Sequence, residues 1–396
     1  MNRRILALLL VLVMVAGLMT GCASGRQEAA APETAQPESP AAEETAAEPE
    51  QTEESPAEEE APAEPETVSF TDSLGRTVEL PADITRIAPS GAVATMILAA
   101  IAPECMVTIN AAPSESQIAF LPANLAALPE TGQMHGGKAD LNLETLLAAD
   151  PQVVIDLGDK KGDMTEDLDA LQEQIGIPVI FIEADLPHMA AAFRTLGGLL
   201  SGKSDRGEEL AALVDRTTAM AEENAAKITD DMRVRAMYTT GEDGLGTNAA
   251  GSMQAQVLDM VGVENAVVVE DVSNKGGGNI ISLEQLYNFD PDVILFADGS
   301  IYSTVTDDSA WSQLTAISTG KYYEVPGSPY SWLSGPPSMN MILGVWWLGN
   351  LIYPEIYDYD METMTQELYK TLWGYELSSE EVTALLGNST LKAAAQ

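Results

Sequence analysis

The chain has 396 residues, with 19 basic against 61 acidic side chains, two cysteines and two histidines. A net charge of −42 argues against nucleic acid and anionic lipid surfaces as partners, because both would be repelled. Two histidines are too few for a multi-histidine zinc or manganese centre, which needs three or four converging ligands.

In chain order, Arg3 and Arg4 precede an apolar run from Ile5 to Leu18. As a helix this run rises only ~21 Å, short of the ~30 Å hydrocarbon core, so it reads as a signal segment and not as a stable span. It ends in Leu18-Met19-Thr20-Gly21-Cys22, which resembles the lipobox of bacterial lipoproteins. That likeness implies a signal peptide over 1–22, lipidation of Cys22, and a membrane-anchored, extracytoplasmic protein. Residues 23–66 are Ala, Glu, Pro, Thr, Gln and Ser almost throughout, with 14 Glu and no aromatic or branched aliphatic side chain. Such a segment buries too little apolar surface to offset chain entropy, and is expected to be a disordered, extended linker.

From residue 67 the chain has the composition of a folded protein, with 16 basic and 47 acidic residues. Two segments repeat one plan 140 residues apart. Leu143-Glu144-Thr145-Leu146-Leu147 runs into Asp150-Pro151 and the strand from Val153, and Leu283-Glu284-Gln285-Leu286-Tyr287 runs into Asp290-Pro291 and the strand from Val293. Each is a short amphipathic helix, a proline that stops it, and an apolar run suited to a buried parallel strand. Flanking pieces correspond as well: Arg86-Ile87-Ala88 with Arg233 to Tyr238, and Pro178 to Ile182 with Tyr322 to Val325. The pattern predicts an α/β fold of two lobes with parallel sheets, at 67–200 and 233–396.

Between them, residues 201–232 carry apolar side chains at helical spacing, with Asp205 as the expected cap and Glu208 three residues on. One long helix joining the lobes predicts a stiff connection. Ligands of parallel sheets sit off the carboxyl ends of the strands, which places a ligand cleft between the two sets of loops. Cys105 is the one cysteine left after Cys22, and its apolar setting predicts a buried thiol.

These segments, together with Phe70-Thr71-Asp72-Ser73-Leu74-Gly75-Arg76 near the start and Gly335-Pro336-Pro337-Ser338-Met339-Asn340 near the end, resemble the substrate-binding lipoproteins of iron-siderophore and cobalamin importers. The likeness covers about residues 67 to 375. It implies two Rossmann-like lobes joined by one helix, an ABC permease and its ATPase as partners, and docking through one acidic residue per lobe. Glu284 matches the C-lobe docking position. Glu115 and Glu130 are the N-lobe candidates. The resemblance further implies a monomeric binder with no resident cofactor, not an enzyme.

The loops supply the candidate ligand contacts: Ser90, Met134, His135 and Lys160 from the N-lobe, and Asn248, Lys275, Tyr302, Tyr330 and Trp332 from the C-lobe. Tyr302 or Tyr330 would offer a phenol to a chelated ferric centre, or stack on a flat chelate. An iron chelate, siderophore or haem-like, leads on family frequency. A corrinoid and the oxyanions molybdate and tungstate remain open, since glycine-rich loops offer backbone N–H groups to anions. A surface sensor or adhesin of the same fold also stays open. A dinucleotide-dependent oxidoreductase is the weakest reading, resting on Gly244-Leu245-Gly246-Thr247-Asn248-Ala249 alone.

Overall fold

A computed structural model describes residues 66–135, 140–162, 164–274 and 277–391. The signal segment, Cys22, the linker up to residue 65, and Lys275 lie outside the described residues.

A hairpin comes first. Strands β1 (Thr67–Thr71) and β2 (Thr77–Pro81) pair antiparallel, and the Asp72 carboxylate accepts the backbone N–H groups of Leu74 and Arg76 to hold the turn. The turn sits on a sheet edge: Ser73 donates its N–H to the Phe181 carbonyl, and its hydroxyl accepts the Glu183 N–H. An edge that would template further pairing is thereby covered.

The N-terminal lobe is a three-stranded parallel sheet of β3 (Ile87–Pro89), β4 (Val153–Gly158) and β5 (Val179–Glu183), in that spatial order. Helix α1 (Ala92–Ile101) follows β3, then α2 (Glu115–Ile118) and α3 (Leu143–Ala148) precede β4, and α4 (Met164–Ile175) precedes β5. Every residue of β4 is buried. Its side chains alternate between a core under α1 and a smaller cluster in which Val154 meets Leu146, Leu168 and Phe181. Two-sided burial explains why the strand reads as a continuous apolar run.

Helix α5 (Met189–Leu199) leads to α6 (Ser204–Ala225), 22 residues and so about 33 Å long. Lys203, with no side-chain cap, stands where Asp205 was expected. Asp205 lies one residue inside the helix, where its charge still complements the dipole. The expected capping box does not form, because Asp205 is not the N-cap and Glu208 is then not at its third position; Glu208 pairs with Arg194 on α5 instead. The two helices touch backbone to backbone: a Cβ on Gly207 would stand 2.6 Å from the Phe193 carbonyl oxygen.

The C-terminal lobe holds β6 (Arg235–Thr240), β7 (Gly246–Thr247), α7 (Gln256–Met260), β8 (Glu264–Asn265), β9 (Asn279–Ile280), α8 (Leu283–Phe289), β10 (Val293–Phe296), α9 (Thr315–Ser318) and β11 (Tyr322–Glu324). Its sheet runs β11-β10-β6-β7-β9 with β8 beside β6. The strands β8, β6, β10 and β11 are parallel, as expected, whereas β7 runs antiparallel to both its neighbours, β6 and β9. Gly244, at φ +70, turns the chain back on β6 before any helix begins, so Gly246 pairs with Thr240. That reversal also removes the strand-to-helix turn that a dinucleotide fingerprint needs.

Helices α10 (Met341–Ile352), α11 (Met361–Trp373) and α12 (Ser379–Leu385) complete the chain. One apolar core takes in α1, α5 and α6 together with β6, α10 and α11. The lobes therefore share a core and are not merely strung on a helix. Arg206 of α6 fixes the junction by donating to the Ala100 carbonyl at the end of α1 and the Thr371 carbonyl near the end of α11.

Candidate functional site

The carboxyl ends of β3 and β4 open into a cavity of about 250 Å³. From the N-terminal lobe it is lined by Ser90 to Ala94, Gln133, His135, Asp156 to Asp159, Lys161, Met164 and Phe181. Met253, Gln254, Asn274 and Ser334 to Pro337 close it from the C-terminal lobe. The expected interlobe cleft is therefore present, at the strand ends where the topology of parallel sheets places it.

Helix α1 begins inside this cavity. Gly91 stands before it and supplies no side-chain cap, and Ala92, Val93 and Ala94 line the wall. First-turn N–H groups have no partner within their own helix, so they offer an anion both donors and the positive end of the dipole.

Beneath them lies Asp156, a carboxylate in an otherwise apolar strand, 4 % exposed. One oxygen accepts the Ser90 hydroxyl, and the other is 3.2 Å from Nε2 of His135. That contact raises the His135 pKa above its ordinary value, against an opposing pull from burial. Lys161 faces the same space and pairs with Asp159 at 3.2 Å. With His135 protonated, the side-chain charges here balance, and the helix terminus tips the site toward anions.

A second cavity, of about 320 Å³, shares Ser334 and Gly335 with the first as lining residues. Tyr238, Thr240, Ala297, Asp298, Tyr330 and Ser331 form its C-lobe wall, and Gln117 of the N-lobe closes it. Burial pushes the Tyr330 phenol up to about 12, so it is a neutral donor and a poor source of phenolate.

Of the residues singled out from sequence, Ser90, His135 and Tyr330 line the cavities. Met134 packs against the smaller N-lobe cluster. Lys160 points toward the hairpin, 3.4 Å from the Ser73 carbonyl, and its neighbour Lys161 reaches the cleft instead. Asn248 is buried behind the cleft, and its amide atoms have no partner among the described residues.

Two aromatic residues lie elsewhere than expected. Trp332 is fully buried, edge-on to Trp347 and beside Tyr369 in the shared core. Tyr302 packs in a C-lobe cluster, edge-on to Phe296 and tilted against Tyr322. Large aromatic side chains in apolar company gain more from packing than from facing solvent.

Asp156 was missed by sequence reasoning, although an acid inside Val153-Val154-Ile155-Asp156-Leu157 is itself a signal. Glu144 was not singled out from sequence. It occupies in α3 the first-turn position that Glu284 holds in α8; both are exposed, and Leu146 and Leu286 beneath them are fully buried. Glu115 and Glu130 are exposed but have no such counterpart. Among the described residues no group of three His, Cys, Asp or Glu side chains could hold a bare metal ion, and no helix is long and apolar enough to cross a membrane.

A family model described as periplasmic binding protein matches residues 106–329. No curated protein matches. Among solved structures, an ABC transporter solute binding protein from Sulfurospirillum deleyianum is 28% identical, with a TM-score of 0.74 over 81% of this chain and 99% of its own. A periplasmic solute binding protein from Veillonella parvula is 24% identical, with a TM-score of 0.68 over 82% and 98%. The molybdate periplasmic binding protein MolA of Haemophilus influenzae, solved with molybdate, is 20% identical, with a TM-score of 0.64 over 78% and 99%.

Proposed function

We propose a function for a chain that belongs to the periplasmic binding protein family, whose members bind solutes for transport and are not enzymes. The chain is the receptor of an ABC importer, and it captures an anion-bearing metal complex. The observation that carries this reading is the uncapped start of α1 inside the interlobe cavity, next to Lys161 and His135.

An iron chelate is the first candidate solute. The two adjacent cavities, of about 250 and 320 Å³, are together of the size that takes an organic ligand. A bare oxyanion such as molybdate is the second, favoured by the helix terminus, and it would occupy the first cavity alone. The molybdate-bound relative supports that alternative.

The protein sits outside the cytoplasm, tethered through a lipid on Cys22, with the acidic segment 23–66 as its spacer. It works as a monomer, with its N-lobe at 67–200 and its C-lobe at 233–396. Glu144 and Glu284 are the docking pair for the permease, since they are equivalent in the two halves and a carboxylate in each lobe can be gripped by transporter arginines.

The test is a thermal-shift and calorimetry panel of ferric siderophores, haem, corrinoids, molybdate and tungstate. One class should raise the melting temperature by mass action, and substitution at Lys161 should weaken that class. A panel in which no anionic complex binds, or turnover of a solute that one point change abolishes, overturns the reading.

A further inference from the structure

We propose that the second cavity is a subsite for a cationic group, so that the solute is two-ended, with an ammonium at one end and its anionic part on α1. This rests on the chelate reading above and adds the other end of the molecule.

The cavity lies where β6 and β10 end, at Thr240 and Ala297, the carboxyl ends at which ligands of parallel sheets sit. Among the described residues Asp298 is the only acidic side chain lining it, and no Lys, Arg or His does. Among the described residues Asp298 takes part in no ion pair, whereas Asp159 of the first cavity is paired with Lys161.

The stem of Asp298 is held in place from behind. Gly327 packs so closely that a Cβ there would stand 3.0 Å from the Asp298 Cβ. The neighbouring phenols stay neutral, since burial raises both Tyr238 and Tyr330, and the Tyr238 hydroxyl lies 3.4 Å from that of Ser331. Neutral hydroxyls and an exposed carboxylate with no ion-pair partner among the described residues suit a primary ammonium, which brings three donors and no acceptor.

The first cavity offers positive charge from the α1 terminus and Lys161, beside the carboxylates of Asp156 and Asp159. A solute with one anionic and one cationic end complements both cavities. Complementarity of this kind is a source of specificity.

The probes are a ferric trihydroxamate with one free primary amine and its N-acetyl counterpart, titrated by calorimetry into the full chain and into Asp298→Asn and Asp298→Glu. The amine form should bind about tenfold tighter than the acetyl form to the native protein and to Asp298→Glu. In Asp298→Asn the ratio of the two affinities should collapse toward one. Equal binding of both forms, or a preference that survives Asp298→Asn, overturns the proposal. So does a protein that binds molybdate or tungstate but neither chelate, a result that leaves the anion reading of the first cavity standing.

Discussion

Nε2 of His135 lies 3.2 Å from Oδ2 of Asp156, whose other oxygen accepts the Ser90 hydroxyl at the mouth of α1. The cleft thus contains a proton-dependent charge next to the proposed anion site. Asp156 raises the His135 pKa, so the pairing stabilises the fold fully below the ordinary histidine value of about 6.5 and is lost as pH rises through the raised value. The melting-temperature gap between the native protein and His135→Gln should be widest below about pH 6.5 and should narrow as pH rises through the raised value. Affinity for the anionic solute should fall over the same rise. His188 also pairs with an aspartate, but it is common to both proteins and cancels. A gap that stays constant with pH sinks the assignment.

Lys161 and Lys160 are adjacent, yet only Lys161 lines the cleft. Lys161→Ala should weaken solute binding by about five- to tenfold, the scale of a partly solvated charge contact. Lys160→Ala should change affinity by less than about twofold. Calorimetry on the two variants decides it, and equal losses would remove Lys161 from the site.

Gly344 of α10 has the Trp332 carbonyl where a side chain would go: a Cβ would stand 2.1 Å from that oxygen. Because Trp332 lies just before the cleft residues Ser334 to Pro337, the contact sets the position of that wall. Gly344→Ala should cost about 1–3 kcal/mol by overpacking and should lower solute affinity as well. Trp332→Ala should cost about 3–5 kcal/mol, as a large truncation in the core does. Denaturant melts of both variants test this; an unaltered midpoint for Gly344→Ala contradicts it.

Arg206 joins α6 to the ends of α1 and α11 through three charge-assisted hydrogen bonds. Arg206→Ala should cost about 2–3 kcal/mol, and Arg206→Lys should recover little, since an ammonium cannot reproduce the planar fork. Chemical denaturation gives the number. Full rescue by lysine would show that charge alone is enough.

Glu144→Lys and Glu284→Lys reverse the exposed charge at equivalent positions of α3 and α8. Either should cut transporter-stimulated uptake by about tenfold or more while solute affinity in solution holds, because neither residue lines a cavity. Uptake into vesicles bearing the permease and its ATPase is the measurement. Glu115→Lys and Glu130→Lys serve as controls, and an equal effect from them would restore the earlier N-lobe candidates.

Much of the architecture was legible because it repeats. The helix, proline and strand at 143–155 and at 283–295 carry one hydrophobic pattern, and burying that pattern requires parallel strands with helices over them. The long helix at 204–225 was readable from unbroken spacing over six turns. The reversal at Gly244 was not, since a glycine-rich loop fits a turn into a strand as well as a turn into a helix. Only pairing of Gly246 with Thr240 distinguishes them.

The amino-acid sequence alone fixed the fold class, the two lobes and the chain position of the cleft loops, because burial periodicity is a local property of the chain. Which side chain in each loop faces the cleft was decided by packing between segments far apart. Trp332 went to the core against Trp347, Lys161 and not Lys160 turned inward, and Asp156 met Ser90 and His135 from residues 66 and 21 positions away. Composition reports whether a residue is polar or apolar. Its direction depends on neighbours brought together only when the sheets close on their shared core.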